Sequence, residues 1–445
     1  MAGNVRVYLV IALILSNFFL TFITPSRATE TLTLDRAIEE AIANNSIIKQ
    51  AIERQRAATE AVKSARADFL PKFSAQYSYT HLKDAPYSIF TIPFIPAPTM
   101  KVAVGNRDTV EWYLRATQPI FTGFALITKL KMANLELDTR QMEREQAILD
   151  VARDVKVAYF RLLLAEHYLD VAGDEVSALK AHEKDAERFY EQGLIPHNDL
   201  LKSRVARAQS EQKLEVARSN LEIARAALNS LLQRDLLDPL HVEDIRGVPE
   251  ESFTLEGLFS EALEKRPEVK LLKLAVHKTD LAADLAKSEY YPKVYAVAQY
   301  AQEGEGLLAS SNDYQNDHNF AVGVNITWNF FEWGKTYAEV NKWLREKKAL
   351  EYSLEEAIKN IKLQVKDAYE KLLVARKNII TAESALEQAR ENFRITNLQY
   401  QQNVTTSTEV LDARTFLTQA EVNYYNALYG YHIARAELER AVGRK

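Results

Sequence analysis

Between Leu354 and Tyr400 the apolar or small residues fall at Leu354, Ile358, Ile361, Val365, Ala368, Leu372, Ala375, Ile379, Ala382, Leu386, Ala389, Phe393, Thr396 and Tyr400. After the first step the spacing alternates three and four without a slip, the seam of a coiled-coil helix. No Gly or Pro occurs from Lys335 to Gln402, so nothing local stops the helix. At ~1.5 Å per residue this stretch predicts a rod of roughly 100 Å. Large side chains alternate with Ala along the seam, which lets a partner backbone approach at the Ala rows. The turn Gln402-Asn403-Val404-Thr405 is short, and a returning helix from about Thr406 to Val442 carries its own seam from Val410 to Ala441. So short a turn forces antiparallel neighbours.

The pattern occurs twice. Thr33-Leu34-Asp35 recurs as Thr254-Leu255-Glu256, and Phe69-Leu70-Pro71-Lys72 as Tyr290-Tyr291-Pro292-Lys293, at one constant offset. Further on, at a shorter constant offset, Ala158-Tyr159 matches Ala368-Tyr369 and Ala224-Arg225-Ala226 matches Ala434-Arg435-Ala436. One loop between the Pro and the rod is therefore longer in the first copy. The first copy's seam runs Ile148, Val151, Val155, Ala158, Leu162, Ala165, Leu169, Ala172, Val176 and Leu179, and its rod ends at Gln192-Gly193-Leu194-Ile195-Pro196. We read residues 29–238 as one structural repeat with a rod hairpin at 124–232. The second repeat is 239–445, with its hairpin at 335–442. Each begins with a short and a longer helix.

After Pro71 the period changes from 3.6 to 2. Phe73, Ala75, Tyr77 and Tyr79 alternate with polar residues, as do Val110, Trp112, Leu114 and Ala116 with Glu111, Tyr113, Arg115 and Thr117. The second copy supplies Val294–Tyr300 and the run Phe320, Val322, Val324, Ile326, Trp328 and Phe330. Four strands are expected, at about 72–82, 109–120, 292–301 and 319–331. Their length, one-sided apolar pattern and terminal aromatics suit a membrane β-barrel. The loop between the first two is apolar and Pro-rich from Phe90 to Pro98, that between the last two polar and acidic. The apolar loop is expected either to pack on its own strands or to cap or partly line an opening. Four strands cannot close, and an open edge in hydrocarbon costs several kcal/mol for each unsatisfied backbone group. The chain must therefore be an oligomer.

Composition narrows the setting. Residues 1–28 read as a signal peptide: Arg6, an apolar run from Val7 to Ile23, and the small-x-small site Ser26-Arg27-Ala28. There is no Cys, hence no disulfide, lipid-bearing thiol or thiolate chemistry. The net charge of −5 with signs mixed along the helices excludes a nucleic-acid footprint. The eight His are scattered without metal spacing, and neither a phosphate loop nor a nucleophile elbow appears. No enzyme, cofactor or metal is expected.

The ordered set of helices, strands, rods and tip turns resembles a TolC-type outer-membrane efflux protein of Gram-negative bacteria over essentially the whole mature chain. Gln118-Pro119-Ile120-Phe121 and Phe330-Phe331-Glu332-Trp333-Gly334, which enter the two rods, carry it together with both tip turns. The resemblance implies a mainly α fold with a small β part: long antiparallel coiled-coil hairpins forming a periplasmic α-barrel, and four transmembrane strands per chain in a trimeric 12-stranded β-barrel. It implies an exit duct of a tripartite efflux or type I secretion system. A homotrimer in outer-membrane lipid would receive cargo from an inner-membrane pump of RND, ABC or MFS type through a periplasmic adaptor (membrane fusion) protein. Residue by residue, it places Glu409 and Asp412 at the periplasmic gate, and Asp199 with Tyr400 in a latch whose third family member, an Arg, is replaced by Thr405. Gly193, Leu194, Asn403 and Val404 fall at the adaptor-docking tips. The alternative readings are a periplasmic adaptor, which would have one hairpin and Gly-rich β domains, and a structural envelope-spanning coiled-coil protein.

Overall fold

The computed structural model describes residues 31–91, 100–249, 253–314 and 316–445. The expected signal peptide and residues 92–99 of the Pro-rich loop lie outside them. Helices α1 (Leu34–Asn44) and α2 (Ser46–Ala67) lead to strand β1 (Lys72–His81), a small pair β2 (Tyr87–Phe90) and β3 (Met100–Ala103), then β4 (Asp108–Thr122). Helix α3 (Ala125–Glu191) follows, and α4 (His197–Leu232) returns. The second copy runs α5 (Leu255–Lys265), α6 (Pro267–Lys287), β5 (Lys293–Gly304), β6 (His318–Thr327), α7 (Lys335–Gln401) and α8 (Ser407–Val442). The chain is mainly helical with a small β part. Both rods have 67 residues and both returning helices 36. Local signals set the starts: Thr33 Oγ1 accepts from the Arg36 amide at 3.3 Å, and Pro267 stands at the first turn of α6.

The chain forms two compact units that cut across the repeats. Among the described residues, the first holds 31–45, 151–249 and 368–438. The seam positions Ile379 and Leu386 of α7 and Val410, Ala413 and Leu417 of α8 are buried there. Leu386, Leu417 and Ala420 form a cluster with Ala389, Phe393 and Tyr424 packed on it. The inter-copy linker is strapped to this unit. Leu32 bridges Val242 in parallel, and the buried Tyr159 hydroxyl lies 2.9 and 2.8 Å from the carbonyls of Leu32 and Glu243. Asp244, on the same linker, accepts from Tyr429 Oη and Arg246 Nε, each at 2.6 Å.

The second unit holds Ser46–Asp150, Phe253–Asp367 and Glu439–Lys445. Here Arg440 reaches Asp150 at 2.6 Å and Glu268 at 2.7 Å, and Arg266 also pairs with Glu268. Burial works against the Glu268 carboxylate, yet the bonds from Arg266 and Arg440 hold it down at about 2. The unit also carries an antiparallel sheet in the order β1-β4-β5-β6. Register places Phe73, Leu114, Ala116, Ala298, Tyr300, Phe320 and Val322 on one face. That face is bare: Phe73 is 82% and Val322 71% exposed. The opposite face bears Ser74, Gln76, Tyr113, Arg115, Thr117, Gln299 and Asn325. Strands β1 and β6 are edges. No helix among the described residues is long and apolar enough to cross a membrane.

Two details depart from the sequence reading. The last strand stops at Thr327 instead of reaching 331, because β5 begins at Lys293 opposite Thr327 and Pro292 before it has no N–H to donate. Trp328, Phe330, Phe331 and Trp333 beyond it are exposed, and Trp328 Nε1 donates to the Tyr290 carbonyl at 3.1 Å. The loop 83–108 is also more regular than expected. Tyr87–Phe90 pairs with Met100–Ala103, prolonging the β1–β4 ladder through Leu82 N to Arg107 O and Val104 N to Pro86 O.

Candidate functional site

The two hairpin turns close alike. Gly193, at φ 73°, donates to Tyr190 O at 2.9 Å, and Leu194 donates to Phe189 O at 2.8 Å. Asn403, at φ 59°, donates to Tyr400 O and Val404 to Gln399 O, both at 2.9 Å. This paired bonding with a left-handed residue is the Schellman closure, which satisfies the last carbonyls of each rod. Gly and Asn are the residues that reach that conformation cheaply. The closure leaves Leu194 and Val404 exposed, an apolar side chain at the end of each hairpin.

The acids lie just beyond. Glu409 and Asp412 are exposed in the first turns of α8, while Val410 and Ala413 beside them are buried. Three apart on a helix, they share a side, off the buried stripe. The Glu409 amide donates to Thr406 Oγ1 at 3.4 Å, a weak cap. Neither carboxylate has an ion-pair partner among the described residues. Asp199 is different: its Oδ1 lies 3.4 Å from Lys202 Nζ, and Lys202 also reaches Thr408 Oγ1 at 3.2 Å.

Asp199 and Tyr400 are not joined by a hydrogen bond. The Tyr400 ring is buried against His182, at 4.7 Å, and Phe189, at 5.4 Å. Its hydroxyl sits beside Ser407 without a hydrogen bond of normal geometry. Burial, more than the charges of Asp199 and Asp185, pushes that hydroxyl upward in pKa. What links the helices is a chain of polar atoms that the sequence reading missed. His182 Nε2 lies 2.8 Å from Ser407 Oγ, Ser407 lies 3.2 Å from Ser203 Oγ, and Ser203 donates to the Asp199 carbonyl at 3.0 Å. One direction gives each of these contacts a donor and an acceptor: His182 Nε2–H to Ser407, Ser407 to Ser203, Ser203 to the carbonyl. That tautomer leaves Nδ1 buried without a partner. Protonating it would bury a second N–H with nothing to receive it, so burial holds the imidazole down at about 4, with Asp185 opposing. His182 falls at seam spacing between Leu179 and Ala186; a polar residue in an apolar seam was the signal available.

No group of His, Cys, Asp and Glu suited to a metal occurs among the described residues. An open sheet with one bare apolar face, coupled to paired long hairpins with acids at their tips, defines a channel-forming protein of the outer membrane with a long helical extension. The sequence profile of outer membrane efflux proteins matches residues 37–233 and 258–444, and the chain belongs to that family. It is an outer-membrane protein and not an enzyme. Among curated relatives, the outer membrane protein TolC of Vibrio cholerae is 26% identical over 437 residues, covering 94% of this chain and 92% of the relative. The alkaline protease secretion protein AprF of Pseudomonas aeruginosa is 24% identical over 352 residues (76% and 70%). The cobalt-zinc-cadmium resistance protein CzcC of Cupriavidus metallidurans is 24% identical over 362 residues (79% and 82%). Among solved structures, the CmeC outer membrane channel of Campylobacter jejuni superposes with a TM-score of 0.77 at 16% identity, covering 92% of this chain and 85% of that one.

Proposed function

We propose that three copies close their sheets into one barrel and act as the exit duct of a tripartite efflux or type I secretion system. The observation that carries this reading is the sheet: apolar side chains bare on one face and unpaired edges at β1 and β6. In hydrocarbon those edges must find partners, and copies of the same chain supply them in register. The resemblance to trimeric ducts supports three as the number. Glu409 and Asp412 of each copy would then ring the periplasmic entrance as a gate. The tip turns Gly193-Leu194 and Asn403-Val404 would dock a periplasmic adaptor that joins the duct to an inner-membrane pump of RND, ABC or MFS type. The His182–Ser407–Ser203 chain, with Tyr400 beside it, takes over at Thr405 the task of holding the tip that the family gives to Asp, Tyr and Arg.

Cargo is chosen by the pump rather than by these residues. The relatives' names span protease secretion and metal resistance, which suits a passive duct. The test is the mass of the detergent-extracted protein: a three-chain particle is expected, and a monomer that stays in solution without detergent contradicts the reading.

A further inference from the structure

Three basic side chains lie on the polar face of the four-stranded sheet, and two are neutralised locally. Lys72 pairs with Asp68 and Lys293 with Glu289, each at 2.8 Å. Arg115 has no carboxylate partner among the described residues. It sits directly across from Gln299, whose Oε1 accepts from both Nε, at 2.8 Å, and Nη2, at 2.6 Å. The Tyr113 ring packs 4.7 Å from the guanidinium carbon. A neutral amide orients the group without cancelling its charge. Of the five guanidinium N–H donors, three remain without a protein acceptor. Arg115 lines a cavity of about 480 Å³ together with Thr117, Tyr295, Val297 and Asn325, none of them acidic.

We propose that Arg115 is an anion-recognition site on the inner wall of the barrel, engaging carboxylate-bearing solutes as they leave. The proposal rests on the reading of this sheet as part of a barrel whose polar face lines the lumen. A half-occupied guanidinium fork with a free edge matches a carboxylate geometrically. Gln299 and Tyr113 hold it in place beforehand, so little side-chain entropy is lost on binding. Closure by three copies would set three such groups at one level, and rings of Arg favour anions. Glu111 and Glu303 face each other on the same side further along β4 and β5. Their charge keeps an anion from being held tightly, so the site is one of passage, with weak affinity.

Citrate, labelled with carbon for NMR, is the probe, titrated onto the detergent-extracted oligomer at low salt. Saturable line broadening is expected for the wild type. Arg115→Gln should weaken it by about tenfold, the scale of one charge-assisted bidentate contact. Arg115→Lys should fall between, keeping the charge and losing the fork. Equal binding by wild type and Arg115→Gln, or no saturable binding to an oligomer that conducts ions in a bilayer, overturns the proposal. A protein that neither assembles nor conducts overturns the barrel reading, and the proposal with it.

Discussion

At Gly193 the backbone stands at φ 73°, and a Cβ built there would meet nothing within 4 Å. The cost of any other residue is therefore conformational, about 1–2 kcal/mol for an ordinary side chain. Gly193→Val should deform the first tip and lower export while the amount of assembled protein in the membrane stays the same. Gly193→Asn should be nearly silent, because Asn403 already performs the same closure in the second copy. Resistance assays in cells lacking another duct, with membrane quantitation, check both variants. Full resistance with Gly193→Val would argue against docking at this turn. Gly123 has φ 62°, but its Cβ would also fall 2.4 Å from the Ser288 carbonyl oxygen. Gly123→Ala should accordingly lower assembly itself.

His182 makes the tip sensitive to acid. Its folded value of about 4 lies below the ordinary 6.5, so between those values the unfolded chain binds the proton and the folded chain does not. The stability that neutral His182 contributes is complete above pH 6.5 and is lost as pH falls toward 4, at most about 3 kcal/mol. Buried His432 behaves alike, while Glu166 and Glu421, raised by burial, act in the opposite sense. The informative quantity is therefore a difference. Melting temperature should drop between pH 7 and pH 4.5 by less in His182→Gln, which keeps a donor and takes up no proton, than in the wild type. Equal drops would show that His182 takes up its proton over the same pH range in the folded and the unfolded chain.

At the scale of the element, the seams carry the fold. Ala368 is 7% exposed on α7, at one of the small positions that let a neighbouring helix come close. Ala368→Leu adds methylenes where there is little room, costing about 1–3 kcal/mol per copy. Thermal melting of the extracted protein should fall, and an unchanged melting temperature would place Ala368 on a free surface. The rods, the returning helices and both tip turns were legible because a seam spaced three and four repeats its signal over many turns, and Gly or Asn with a following Pro or Thr ends it. The end of β6 was not legible: alternation continues through Phe330, and only the partner strand's start at Lys293 decides where pairing stops. The β2–β3 ribbon escaped notice because its strands are four residues each, too short for a period of two to show. The Asp199–Tyr400 contact came from resemblance alone, and the burial of Tyr400 against His182 and Phe189 depends on packing among helices distant in sequence.

At the scale of the whole molecule, one chain is unfinished. Among the described residues, its sheet has two bare edges, its apolar face has no cover, and Glu409 and Asp412 have no ion-pair partner. Assembly in a membrane would answer the first two, and the proposed periplasmic gate would give the third a use. In the proposed trimer, Glu409 and Asp412 would gather six carboxylates around one opening, a ring that would favour cations. The measurement that bears most directly on this account is single-channel current through the purified protein in a planar bilayer, with hexaamminecobalt added on the side of the hairpin tips. Discrete steps that the trivalent cation blocks are expected. In the Glu409→Gln, Asp412→Asn variant, the steps persist and the block is lost. Equal block in both proteins would place the constriction elsewhere, and no current from the wild-type protein would contradict the duct itself.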